Sequence, residues 1–273
     1  MSLWHELVRR VAVGAVGLPI VGALLWLGGA WSAALFAAGG AIAAYEYYRM
    51  TVLRDAPVRW IGVVALAVLP ALPWAVGDRW PEAAVGVVAA SSIAAWTALL
   101  VRGPRSDAPA RAGLLVGGLV YIATGVVALA ALRARPDGLS WSACVLIAAW
   151  GNDTGAFLGG KLVGRHHMIP AVSPGKTWEG LACGAIAGLA ASLGAQRWFT
   201  GLTLRDALAI GAIAAVAGPI GDLCKSMVKR AAGVKDSGKI FLSHGGMLDR
   251  IDAILFDAPA VLAYLAATIA LRH

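Results

Sequence analysis

Apolar runs of about 20 residues dominate this chain, the length that crosses about 30 Å of hydrocarbon as a helix rising 1.5 Å per residue. Nine such runs fall at about 11–30, 32–50, 60–78, 82–101, 113–132, 139–160, 178–197, 204–224 and 251–271. Within a bilayer every backbone N–H and C=O must be paired inside the protein, which makes each run a predicted helix. The ten-residue alternation of a membrane β-barrel is not seen. Hydrophobic residues make up 59% of the sequence and charged residues 14%, against about 25% charged in average soluble chains. The predicted fold class is all-α: a polytopic integral membrane protein with about nine transmembrane helices.

The net charge of +8 would suit a nucleic-acid partner, but the charges sit in short loops between apolar runs, the pattern that sets membrane topology. Of the 23 Lys and Arg residues, 17 fall on one side of the predicted bilayer and 6 on the other. The positive side is expected to be cytoplasmic, with the N-terminus inside and the C-terminus outside. No small-residue cleavage site follows the first apolar run, so it is read as an uncleaved helix. Pro19 and Gly28-Gly29 loosen that helix, and Pro70 and Pro73 are predicted to kink the third. Glu46 lies in the second span beside Tyr45, Tyr47 and Tyr48, read as an interfacial aromatic cluster, and is itself expected to be structural. Cys144, Cys183 and Cys224 have no CxxC or ligand spacing and read as buried free thiols.

The stretch from Gly221 to Asp252 breaks the apolar pattern with six Lys/Arg, four Asp and His244. A charge near hydrocarbon costs about 2.5–3.5 kcal/mol on insertion scales, so such residues mark function. Asp222, Lys225, Ser226 and Lys229 share one face if the eighth helix continues through them. Asp249 and Asp252 repeat the spacing where the ninth begins. These acids suit a hard cation such as Mg²⁺, which takes one or two carboxylates and completes its shell with water and phosphate. The alternative is an interhelical salt-bridge network with Lys229, Arg230 and Arg250, against which the density of charged groups favours a site. Lys229, Arg230, Lys235 and Lys239 would hold a polyphosphate or anchor to anionic headgroups. His244-Gly245-Gly246 sets a titratable ring beside two residues without Cβ, where a ligand can reach the backbone.

A second polar stretch runs from Trp150 to Gly180. Ser173-Pro-Gly-Lys176-Thr177 superficially suggests a P-loop, but Pro170 stands where that pattern needs Gly and a membrane helix precedes it. Lys176, Thr177 and Glu179 instead open the seventh helix, with Thr177 as a cap and a helix N-terminus that favours an anion. Asp153, beside Asn152 and Thr154, lies in an apolar span and needs either a function or a buried polar contact.

Together these residues resemble the phosphatidate cytidylyltransferases. The match runs as Ser226-x-Val-Lys229-Arg230, four residues, Lys235-Asp236-x-Gly238, then His244-Gly245-Gly246-Met-x-Asp249-Arg250-Ile-Asp252. Asp153-Thr154 and Ser173-Pro-x-Lys176-Thr177-Trp178-Glu179-Gly180 extend it upstream, so the similarity is strongest over about 150–257. Leu242 departs from the Pro or Gly usual two positions before the His. The resemblance implies attack by a phosphatidate oxygen on the α-phosphorus of CTP, releasing pyrophosphate and forming CDP-diacylglycerol without a covalent enzyme intermediate. It implies a catalytic set of Asp222, Ser226, Lys229, Arg230, Lys235, Asp236, His244, Asp249 and Arg250. Substrate binding would fall to Asp153, Thr154, Ser173, Lys176, Thr177, Glu179, Gly245 and Gly246. Asp222 and Asp249 would hold Mg²⁺, with Asp252 as a further or outer ligand and room for a second cation.

The expected organisation is 1–135, N-terminal helices for scaffold and lipid access, and 136–273, a catalytic region with cytoplasmic loops. The expected partners are CTP, phosphatidate, membrane lipid and a second copy of the chain, with no nucleic acid. The expected location is the bacterial inner membrane with the active site facing the cytoplasm. A transporter of anionic solutes would show inverted repeats, and no second copy of the 221–252 pattern occurs.

Overall fold

The computed structural model of the chain describes residues 17–51, 56–103, 106–238 and 245–270. Its elements in order are α1 (Gly17–Leu27), α2 (Gly29–Thr51), α3 (Ala56–Val68), α4 (Leu72–Ala75), α5 (Trp80–Leu100) and α6 (Ala108–Ala134). There follow α7 (Gly138–Val163), β1 (His167–Ile169), β2 (Ser173–Thr177), α8 (Trp178–Gln196), α9 (Leu204–Ala231), α10 (Leu248–Ile251) and α11 (Ile254–Ala270). Six helical stretches among the described residues are long and apolar enough to cross a membrane: Ala56–Ala75, Gly77–Leu100, Ala108–Ala134, Trp178–Gln196, Leu204–Ala231 and Leu248–Ala270. This is the architecture of an α-helical integral membrane protein, with one short hairpin added to it.

The chain forms two compact units, residues 1–120 with 234–250, and residues 121–233 with 251–273. In the first, the chain breaks between α1 and α2 at Gly28 and Gly29, both at positive φ (67° and 47°), where glycine avoids the Cβ penalty. The first helix therefore ends sooner than its apolar run. Pro70 and Pro73 lack the N–H that would continue α3, and the chain passes through a 3₁₀ turn at Leu69–Ala71 into α4. The expected kink is present.

The tyrosines of α2 correct the sequence reading. Tyr47 and Tyr48 are buried core residues and not an interfacial cluster. Their rings meet edge to face at 5.3 Å, and the Tyr48 hydroxyl donates to the Leu115 carbonyl at 2.8 Å, giving the buried phenol the partner it needs. Gly62 of α3 and Gly118 of α6 supply the space these rings occupy. Tyr45 alone lies toward the periphery, with the Arg59 guanidinium 5.2 Å from its centroid.

In the second unit α7 and α8 pack closely through small residues. Gly151, Gly155 and Gly159 of α7 face Ala191, Ala187 and Cys183 of α8, and Gly184 and Gly188 face Asn152 in return. Without a hydrophobic driving force between helices in lipid, such close backbone approach is what holds a pair together. Thr203 and Asp206 form a reciprocal capping box at the start of α9, and Tyr264 of α11 donates to Asp206 at 2.8 Å. The three cysteines are free thiols; Cys144 is buried, whereas Cys183 and Cys224 are only partly so.

Three features position the site. Helix α9 runs on to Ala231, so Asp222, Lys225, Ser226 and Lys229 do lie on one continuous helix. β1 and β2 pair antiparallel, with His167 opposite Thr177 and Ile169 opposite Ser173, where the sequence suggested loop. The last span opens with a single turn, α10, and restarts at Ile254, so Asp249 stands on the turn and Asp252 in the interruption that follows it.

Candidate active site

The second unit holds an alternating row of charges. Lys176, at the end of the hairpin, contacts Asp222 Oδ2 at 2.6 Å and donates to the Pro219 carbonyl at 3.3 Å. The other oxygen of Asp222 lies 2.8 Å from Lys225 Nζ, one helical turn on along α9. Lys225 is buried and reaches across to Asp252 Oδ2 as well. Asp252 Oδ1 accepts from the Ala253 amide at 2.9 Å, which fixes the carboxylate where the helix restarts. Two ammonium groups thus neutralise two carboxylates at a buried site, where a charge without its partner is costly.

The hairpin that delivers Lys176 is anchored at its base by Glu179. Glu179 Oε2 accepts from the amides of Arg165 and His166 at 3.1 and 3.2 Å, and Oε1 lies 2.5 Å from His166 Nδ1. Thr177 caps α8 as expected, its Oγ1 accepting from the Gly180 amide at 3.1 Å. Arg230 Nε donates to the Val172 carbonyl at 3.4 Å, tying the end of α9 to the hairpin turn.

The first unit holds a different construction. Asp249 Oδ2 accepts from the Ser237 amide at 3.2 Å, the Ser237 hydroxyl at 2.8 Å and the Gly246 amide at 3.1 Å. Beside it Glu46, only 3% exposed, accepts from the Met247 amide at 3.0 Å and the Leu248 amide at 2.9 Å, and lies 3.1 Å from the Ser237 hydroxyl. A Cβ on Gly238 or Gly246 would overlap the Glu46 carboxylate. Gly245 has φ +76°, and a Cβ there would come within 2.7 Å of Asp249 Oδ2. Three glycines of the sequence motif, Gly238, Gly245 and Gly246, are therefore accounted for by carboxylates of this chain.

The sequence model of the cytidylyltransferase family matches residues 8–268. This chain belongs to that family. A phosphatidate cytidylyltransferase of Mycobacterium bovis is 29% identical over 278 residues, covering 94% of this chain and 87% of that protein. One from Staphylococcus aureus is 39% identical over 127 residues, 46% of this chain and 48% of that protein. The uncharacterized protein YnbB of Escherichia coli is 45% identical over 114 residues, 42% of this chain and 38% of that protein.

For a cytidylyltransferase family member, the structure groups the expected residues unevenly. It brings Lys176, Asp222 and Asp252 together in one unit, and Asp249 with Gly245 and Gly246 in the other. Ser226 and Lys229 lie part-buried on α9, Asp153 and Thr154 lie exposed on α7, and Lys235, Asp236 and Arg250 are exposed in the first unit. Ser173 opens β2 opposite Ile169. His244, Lys239 and Leu242 lie outside the described residues. Two residues at the heart of the geometry were not among the expected site residues. Lys225 is central to the charge row, and Glu46 organises the second construction. Asp257 was passed over altogether: it is 1% exposed, sits against Gly218, and its oxygens have no hydrogen-bond partner among the described residues. Its signal was available, an ionisable residue inside an apolar span.

Proposed function

We propose that this chain transfers the cytidylyl group of CTP to phosphatidate, giving CDP-diacylglycerol and pyrophosphate. The observation that carries this reading is similarity over almost the whole chain to a protein named phosphatidate cytidylyltransferase, on a chain whose buried charges sit in membrane-length helices. One substrate has acyl chains and the other is a soluble polyanion, so the reaction belongs where apolar spans meet a charged cluster.

In this reading an oxygen of the phosphatidate phosphate bonds to the α-phosphorus as the bond to the bridging oxygen of pyrophosphate breaks. Such a transfer needs positioning and charge neutralisation more than covalent help. Lys176 and Lys225 are ammonium groups already held at carboxylates; arriving phosphates would draw them across and relieve the paired acids. Lys229, Arg230 and Lys235 neutralise the triphosphate and the phosphatidate headgroup. Ser226 and His244 position substrate by hydrogen bonds, while Thr177 and Glu179 hold the hairpin that presents Lys176.

Mg²⁺ suits the donor set. Among the described residues no three His, Cys, Asp or Glu side chains group closely enough to hold a metal by themselves. A Mg²⁺ ion would take one or two carboxylates and complete its shell with phosphate and water. Asp222 and Asp249 are each a candidate Mg²⁺ ligand, with Asp252 as a further ligand and a second cation allowed. When bound, Mg²⁺ would neutralise charge building on the phosphate oxygens.

We place the chain in a bacterial inner membrane as a homodimer with nine spans, N-terminus and active site toward the cytoplasm. The excess of Lys and Arg on that side supports the orientation. The test is purified protein in detergent with labelled CTP and Mg²⁺, with and without phosphatidate. A labelled lipid and pyrophosphate, formed only when phosphatidate is present, is the expected result. Product with a different lipid phosphate and none with phosphatidate would contradict the substrate assignment.

A further inference from the structure

We propose that Glu46 and Ser237 are positioning residues that set the Asp249 carboxylate for cation binding, an inference that rests on the metal reading above. Ser237 makes two bonds to Asp249 Oδ2, one from its amide at 3.2 Å and one from its hydroxyl at 2.8 Å. The same hydroxyl lies 3.1 Å from Glu46 Oε2. A hydroxyl has one proton to donate, so two carboxylates compete for it, and the shorter distance gives it to Asp249. When a cation draws charge away from Asp249, the hydroxyl can turn its proton to Glu46. The second carboxylate is thereby linked to the first through the hydroxyl.

Glu46 also fixes the backbone on which this depends. Its oxygens accept the amides of Met247 and Leu248, at the start of the turn that carries Asp249. Gly238 and Gly246 leave it the room to do so. A buried carboxylate that accepts two backbone amides holds them in one geometry, since each bond left unmade would cost free energy. Outer partners of this kind orient the groups that ligate, and their loss commonly lowers metal affinity or activity by about 10–100-fold.

The experiment titrates Mn²⁺ into purified full-length protein in detergent, reading the free ion by electron paramagnetic resonance, beside the Mg²⁺ dependence of turnover. The variants are Ser237→Ala, Ser237→Thr, Glu46→Gln and Asp249→Asn. Ser237→Ala and Glu46→Gln should each weaken Mn²⁺ binding by about 10-fold or more, raising the Mg²⁺ needed for half-maximal rate more than the KM for phosphatidate. Ser237→Thr keeps the hydroxyl and should recover most of the affinity. The double variant should fall short of the product of the single effects, because both act through one carboxylate. If Asp249→Asn abolishes Mn²⁺ binding while Ser237→Ala and Glu46→Gln leave it intact, the positioning role is overturned and the metal reading stands. If Asp249→Asn leaves binding intact, the metal reading fails and this inference falls with it.

Discussion

The two units hold their aspartates in opposite ways. Asp222 and Asp252 are held by ammonium groups: Lys225 bridges both, and Lys176 takes the second oxygen of Asp222. Asp249 and Glu46 are held, in the bonds described above, by amides and a hydroxyl that carry no net charge. Paired ions can be exchanged, because an incoming polyanion competes directly for the lysines. Backbone dipoles stay with the backbone and fix geometry whether or not ligand is present. One region is built to trade partners, the other to keep them.

The largest way to break this contrast is Lys225→Ala, which strips a buried counter-ion from two carboxylates at once. Removing one partner of a buried pair costs about 3–5 kcal/mol, so thermal unfolding in detergent should show a large drop, partly spared in Lys225→Arg. Glu46→Ala comes next. It leaves the Met247 and Leu248 amides without an acceptor, at about 1–3 kcal/mol for each buried group left unsatisfied. The loss should be insensitive to added CTP, whereas the Lys176 and Lys225 pairs should respond to it.

Gly246→Ala sharpens the picture further. Its methyl would overlap Glu46, and overpacking costs about 1–3 kcal/mol; combining it with Glu46→Asp, which shortens the side chain, should recover part of that in a melting measurement. The smallest expected effect is Thr177→Ala, which loses the cap of α8 and about 1 kcal/mol. Activity should fall only modestly there, since Lys176 remains on the hairpin.

The parts of this fold that were legible are those written within a turn or a span. Apolar length places the helices, Pro70 and Pro73 mark the kink, and Thr177 reads as a cap three residues before the amide it accepts. The Asp222–Lys225 pair was visible because i and i+3 share a helix face. Lys225 to Asp252 spans 27 residues, and Glu46 reaches partners 191 to 202 residues away. No local pattern encodes such contacts. The hairpin escaped because its strands are three and five residues long and contain Pro174 and Gly175, which ordinarily mark turns. Tyr47 and Tyr48 were misplaced because an aromatic near the end of a span suits a headgroup or a core equally well, and the glycines facing them lie on other helices.

The central claim is that carboxylates held in these two ways serve one cytidylyl transfer. The direct measurement is Mg²⁺-dependent formation of labelled lipid from CTP and phosphatidate by wild type, Asp222→Asn and Asp249→Asn, each first shown to be folded by its melting curve. Product in wild type that is lost in both variants is the predicted result. Product that survives undiminished in either variant would show that the corresponding region does not serve the reaction, and would contradict the account.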